Sequence, residues 1–274
     1  MQFFSELFSY SFITRALIAG SLIALCSALL GIPLVLKRYS MIGDGLSHVG
    51  FGSMAIALAL NASPLVIAIP VTILASFFLL KISSNTKMKG DASIAVISTS
   101  SLALGIMISS MTSGLNTDVN AYLFGSILSI DKTDVITSII LSVIVIAFFA
   151  VFYNQIFAVT FDETFSSTSG TKTNLFNALI AIFTSLTIVI GMRLMGAMMI
   201  SSLIIFPALS SMRFFKSFKS VTISSVLISI VCFFAGIMMS FAFSSPAGAT
   251  IVISNLIVFI GFIIAGKIRN KIAS

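Results

Sequence analysis

Charge is scarce in this 274-residue chain: Asp, Glu, Lys and Arg together make up 8% of it, where soluble domains carry about 25%. Hydrophobic residues account for 58%. A soluble fold could not bury that much apolar surface, so the composition excludes a soluble domain and most chemistry that needs a soluble cleft. Histidine occurs once, at His48. With one histidine and no His-Glu motif, an intramembrane metalloprotease is excluded as well, and no enzymatic activity is expected. Cysteine occurs twice, as Cys26 and Cys232. Both lie in apolar runs far apart, and read as small buried hydrophobes rather than a disulfide or a metal pair. The longest polar stretch, 161–174, contains Ser169-Gly170-Thr171-Lys172-Thr173. It lacks the first glycine of a phosphate loop and does not join a strand to a helix, so nucleotide chemistry has to come from another chain. No internal repeat, long linker or soluble domain is visible, and residues 1–274 read as a single transmembrane domain.

What is present is a series of long apolar runs. A helix rising about 1.5 Å per residue needs about 20 residues to cross a hydrocarbon core of roughly 30 Å. Segments 12–36, 42–60, 64–80, 93–111, 135–152, 175–192, 221–243 and 250–265 meet that need. Segment 119–130 is too short to span comfortably and reads as a half-helix or a steep short helix. Segment 194–209 is at the lower limit of length, and counting it gives nine crossings. The expected fold is an all-α polytopic membrane bundle of eight or nine transmembrane helices. The first run lacks a strong basic flank and a small-residue cleavage site, so it is expected to remain as a span.

The formal net charge of +7 does not point to nucleic acid, because the basic residues are dispersed among short loops. Lys37 and Arg38, Lys81, Lys87 and Lys89, Arg213, Lys216 and Lys219, and Lys267, Arg269 and Lys271 fall in alternate loops, while 61–63, 111–117 and 244–249 have none. By the positive-inside bias this predicts an outside N-terminus, an inside C-terminus and an odd number of crossings in a cytoplasmic membrane, surrounded by lipid.

Inside the second run, Asp44 and His48 stand four residues apart. That spacing puts both on one helical face, about one turn apart. Ionisable groups at membrane depth face a protein interior or a water-filled path, because hydrocarbon penalises them by several kcal/mol. Counted from Lys37 and Arg38, His48 lies about 15 Å deep, near the bilayer midplane. A carboxylate and an imidazole form half of a divalent transition-metal site. Alternatively they neutralise each other for packing alone. Gly43, Gly45, Ser47, Gly50, Gly52, Ser53, Ala55, Ala57 and Ala59 crowd the same run, which predicts close packing by neighbouring helices.

Other candidates carry less chemistry. Asp118 is expected outside, either as an acid that draws cations to the mouth or as a cap on the helix start at 119. Asp91 is read with the same caution at the inner end. Met192, Met195 and Met199 are expected to share a helical face with Met198 beside it. Thioethers suit Cu(I), but methionine in an apolar helix is usually packing.

Four segments, in order, resemble the integral-membrane permeases of bacterial ATP-binding-cassette importers for zinc or manganese. They are Arg38-Tyr39-Ser40-Met41-Ile42-Gly43-Asp44-Gly45-Leu46-Ser47-His48, Asp118-Val119-Asn120-Ala121-Tyr122-Leu123-Phe124-Gly125, the run Gly196-Ala197-Met198-Met199 to Phe206-Pro207-Ala208, and Ser245-Pro246-Ala247-Gly248. The first and third are specific; the others would be weak alone. The resemblance implies a permease half that dimerises, sits on cytoplasmic ATP-binding subunits and receives the ion from an extracellular metal-binding protein. It also implies that Asp44 and His48 contact the metal, with Asp118 as a candidate acid at the mouth by its expected outside position, and that 207–218 is the ATPase-coupling segment. The residues singled out there are Pro207, Ala208, Ser211, Arg213 and Phe214, with 161–170 as a second contact.

Three other readings compete. A secondary transporter using Asp44 and His48 to relay protons would need no ATPase and would show repeats. A permease for an iron chelate or corrinoid would not need a ligating pair in its wall. Copper transport would lean on the methionines.

Overall fold

The computed structural model describes residues 11–84, 90–112, 123, 125, 130–243 and 245–273, and among them the chain forms helices without strands. In order these are α1 (Ser11–Leu36), α2 (Ser40–Ala59), α3 (Pro64–Ser84), α4 (Gly90–Met111), α5 (Lys132–Val151), α6 (Tyr153–Phe161), α7 (Glu163–Thr168), α8 (Thr173–Met195), α9 (Ala197–Phe214), α10 (Phe218–Phe243) and α11 (Ala247–Ala273). Eight of them, all but α2, α6 and α7, are long and apolar enough to cross a membrane.

The α2 helix has the same length, at 20 residues. Asp44, His48 and four glycines dilute its apolar character. It tolerates this because it is enclosed rather than lipid-facing: α3, α4, α8 and α9 pack around it, and most of its residues are buried. With α2 included, the described residues contain nine helices of spanning length. The segment 119–130 lies largely outside the described residues.

Helix α1 is the hub. It packs on α9, α10, α5 and α8, and Ala19, Ile23, Ala24, Cys26 and Leu30 on it are fully buried. Beside it, α2, α3 and α4 make a second group, joined to the hub through α8 and α9. A hydroxyl bond crosses that junction: Ser185 Oγ donates to the Thr72 carbonyl at 3.3 Å.

Two boundaries differ from expectation. Segments 175–192 and 194–209 are one long helix and its successor, separated only by Gly196. Its φ of +91° is a conformation that side chains resist and glycine tolerates. The break also means that Met192 and Met195 on α8 do not share a helical face with Met199 on α9. All three are buried as packing groups, while Met198 is exposed. The second difference is at Pro207, which lies inside α9 rather than at the head of a loop. Proline inside a helix frees the carbonyl four residues back, here that of Leu203, and is tolerated in membrane helices where the surroundings re-satisfy it; Pro207's own carbonyl accepts from Ser225 Oγ at 3.3 Å.

Candidate metal-ion site and coupling surface

Asp44 and His48 stand on one face of α2 that its neighbours cover only in part. Met41, about one turn before Asp44, is exposed, whereas Gly52, one turn beyond His48, is buried against α4. The Asp44 side chain is 39% exposed and that of His48 15%. His48 Nε2 lies 3.6 Å from Asp44 Oδ2, too long for a hydrogen bond. His48 Nδ1 is buried and makes no hydrogen bond. Mutual neutralisation by a hydrogen bond is therefore not what holds this pair. Two ligand bonds of about 2.0–2.1 Å at a tetrahedral angle put their donor atoms about 3.4 Å apart. The gap between Nε2 and Oδ2 has close to that span, so the pair can act as a bite for one divalent ion without rearranging α2.

The local backbone is fixed by packing. Ser47 Oγ turns back to donate to the Asp44 carbonyl at 2.7 Å, removing its hydroxyl from the site. Leu46 and Ile42, on the opposite side of the helix, are buried in the main core. Asp44 and His48 are thus held outward by an apolar anchor.

The remaining candidates separate. Asp118 lies outside the described residues. Asp91 opens α4 and is exposed, so the structure gives it no partner role at the pair. Among the described residues no cluster of three or more His, Cys, Asp or Glu could hold an ion. Of the second motif only Leu123 and Gly125 are described. Gly125 has φ +79° and its Cα lies directly against the Met195 backbone, where a side chain would not fit.

At the basic end the segment 207–218 is helical for most of its length instead of a loop. Because α9 continues to Phe214, the connection to α10 is short, at 215–217. Pro207, Ala208 and Ser211 are buried, with Ser211 Oγ accepting from Ser225 Oγ at 3.0 Å. Arg213 is exposed. Phe214 is held by the last helix: Arg269 stacks on its ring at 4.6 Å and Nη1 donates to its carbonyl at 2.9 Å.

The sequence reading missed the two short helices between α5 and α8. Helix α6 rests on the start of α10, with Tyr153 and Phe157 each 5.3 Å from the Phe218 ring and Phe161 at 6.1 Å. Helix α7 follows, capped by Asp162 Oδ1, which accepts from the Phe165 amide at 2.8 Å. It projects Phe165 outward, 66% exposed. Behind it Lys37 Nζ meets Glu163 Oε2 at 3.3 Å and donates to Asn177 Oδ1 at 2.6 Å, and Asn177 Nδ2 donates to Glu163 Oε1 at 2.7 Å. Burial pushes the Lys37 ammonium below its ordinary value, and the Glu163 carboxylate pulls the other way.

The model of the family described as the ABC 3 transport family matches residues 9–266. The chain belongs to that family. It is 29% identical over 269 residues to the manganese import system permease protein ScaB of Streptococcus gordonii, covering 98% of this chain and 96% of that one. It is 27% identical to the high-affinity zinc uptake system membrane protein ZnuB of Haemophilus influenzae, covering 89% and 94%. Among solved structures it resembles PsaBC from Streptococcus pneumoniae in complex with a Fab, at 26% identity, a TM-score of 0.85, and 95% and 94% coverage. The chain is accordingly a multi-pass membrane protein of a transport family, and its helical bundle is an ABC-permease fold.

Proposed function

We propose that this chain is the permease subunit of an ATP-binding-cassette importer for a divalent transition metal, zinc or manganese, and that Asp44 and His48 contact the ion in passage. The observation that carries the site is the 3.6 Å separation of His48 Nε2 and Asp44 Oδ2 on one partly covered face of α2. A borderline imidazole and a hard carboxylate suit both metals. Relatives named for zinc and for manganese lie at similar identity. Two protein donors bind loosely, as transport requires, because an ion that enters must also leave.

A second copy of the chain completes the path. Asp44 on a lipid face would cost several kcal/mol, whereas the same face of α2 from a partner copy removes it from lipid. It also brings the donors to two carboxylates and two imidazoles, the number a tetrahedral ion takes. An extracellular metal-binding protein would deliver the ion at the other end. The basic end is cytoplasmic by its charge, and there α7 with Phe165, rather than the buried turn of α9 around Pro207, offers the surface for the ATP-binding subunit.

The test is uptake at limiting zinc or manganese in cells carrying His48→Ala, with assembly checked by co-purification of the ATP-binding subunit. Loss of accumulation in an intact complex is expected. Wild-type accumulation refutes the assignment.

A further inference from the structure

We propose that Lys37, Glu163 and Asn177 form a clasp that passes movement of α7 to the ion-contacting helix α2; this rests on the reading of α7 as the ATPase contact. The three side chains close a ring: ammonium to carboxylate at 3.3 Å, ammonium to amide oxygen at 2.6 Å, amide nitrogen to carboxylate at 2.7 Å. They join the α1–α2 turn to two consecutive elements far along the chain, the first residue of α7 and the start of α8, 126 and 140 residues from Lys37.

A surface ion pair would transmit little, since such pairs are weak and exchange with water. This one is built differently. The Lys37 side chain is only 10% exposed, and a buried ammonium left without partners is strongly disfavoured. If α7 shifts, Lys37 has to follow it or lose its counter-charge. Glu163, at 46% exposure, is the movable half, on a helix of six residues of which only Ser166 is buried.

Behind Lys37 the connection to the ion site is short and stiff. Only Arg38 and Tyr39 separate it from α2. Arg38 is in the left-handed region, φ +62°, uncommon for a residue with a side chain. The turn is pinned by Lys37 N–H to the Pro33 carbonyl at 3.0 Å, Tyr39 N–H to Leu34 at 2.7 Å and Ile42 N–H to Tyr39 at 2.9 Å. Asp44 begins about 6 Å further along the helix axis. Displacing Lys37 therefore tilts or rotates α2 as a rod instead of being absorbed in a slack loop.

The experiment uses the full complex with its ATP-binding subunit in liposomes and reads ions accumulated per ATP hydrolysed. Glu163→Gln and Lys37→Met are expected to keep the subunit bound and hydrolysing while that ratio falls about fivefold or more, the scale of a coupling free energy of 1 kcal/mol and above. The charge swap Lys37→Glu with Glu163→Lys is expected to recover much of it. An unchanged ratio in Glu163→Gln overturns the clasp, and so does a parallel loss of hydrolysis and uptake at constant ratio. Should Lys37→Met fail to fold, Glu163→Gln at its half-exposed position decides alone. Phe165→Ala separates the two readings: a subunit that still binds it with wild-type affinity removes the docking role of α7, whatever the clasp variants do.

Discussion

A Cβ added to Gly52 would stand 2.7 Å from the carbonyl oxygen of Ser101. Helices α2 and α4 therefore cross with their backbones in contact, the arrangement that small residues permit in membranes. The crossing lies one turn beyond His48 on the same helix. Gly52→Val is expected to push α4 away and destabilise the protein by about 1–3 kcal/mol, the usual cost of overpacking, with metal uptake falling in step. Thermal denaturation in detergent reads the first effect; an unchanged midpoint would show that the crossing is loose.

At the opposite end from the basic loops, Arg193 Nη1 lies 3.2 Å from Asp134 Oδ1, and Asp134 is 5% exposed. The other carboxylate oxygen of Asp134 accepts from the Asp131 amide at 3.1 Å, so one residue both caps α5 and ties it to α8. Removing Arg193 leaves a buried carboxylate uncompensated, which costs about 3 kcal/mol. The low end of the range applies because Arg193 is a third exposed. Arg193→Met should lower the unfolding midpoint clearly, and Asp134→Asn combined with it should recover part of the loss. Equal stability of the single and double variants would mean that the two side chains do not interact.

These relationships differ in how much of them a sequence can carry. The spans are legible because hydrocarbon thickness imposes one length on every helix, and the Asp44–His48 pair is legible because a spacing of four has one meaning on a helix. The enclosure of α2 was also readable, from its small residues. Pro207 misled for a physical reason. Its missing amide normally ends a helix in water, but here α9 runs on to Phe214, packed against α1, α10 and α11, tertiary support that no local pattern records. Gly196 misled the methionine reading likewise, since its positive φ splits what periodicity alone would run together. The Lys37–Glu163 contact spans 126 residues of sequence, and the exposed Phe165 sits in the polar stretch 161–170, legible as a second coupling contact but not as a helix. Both depend on how α6 folds back onto Phe218.

The partly covered face of α2 gives the last prediction. Met41 is 41% exposed, one turn before Asp44 and in line with it. If two copies of the chain meet along this face, the two Met41 side chains lie near the joint axis. A cysteine there can then bridge, provided the Cα atoms come within about 7 Å. The background is low because the native thiols, Cys26 and Cys232, are buried and out of reach of a second copy. Met41→Cys in membranes, treated with a mild oxidant, should give a band of twice the monomer mass that reductant removes. Leu74→Cys, more exposed at 70% but on α3 instead of α2, should give none. A dimer band from Leu74→Cys alone would move the contact to another face. Asp44 would then be left without a partner copy to remove it from lipid, and the four-donor site would have to be abandoned.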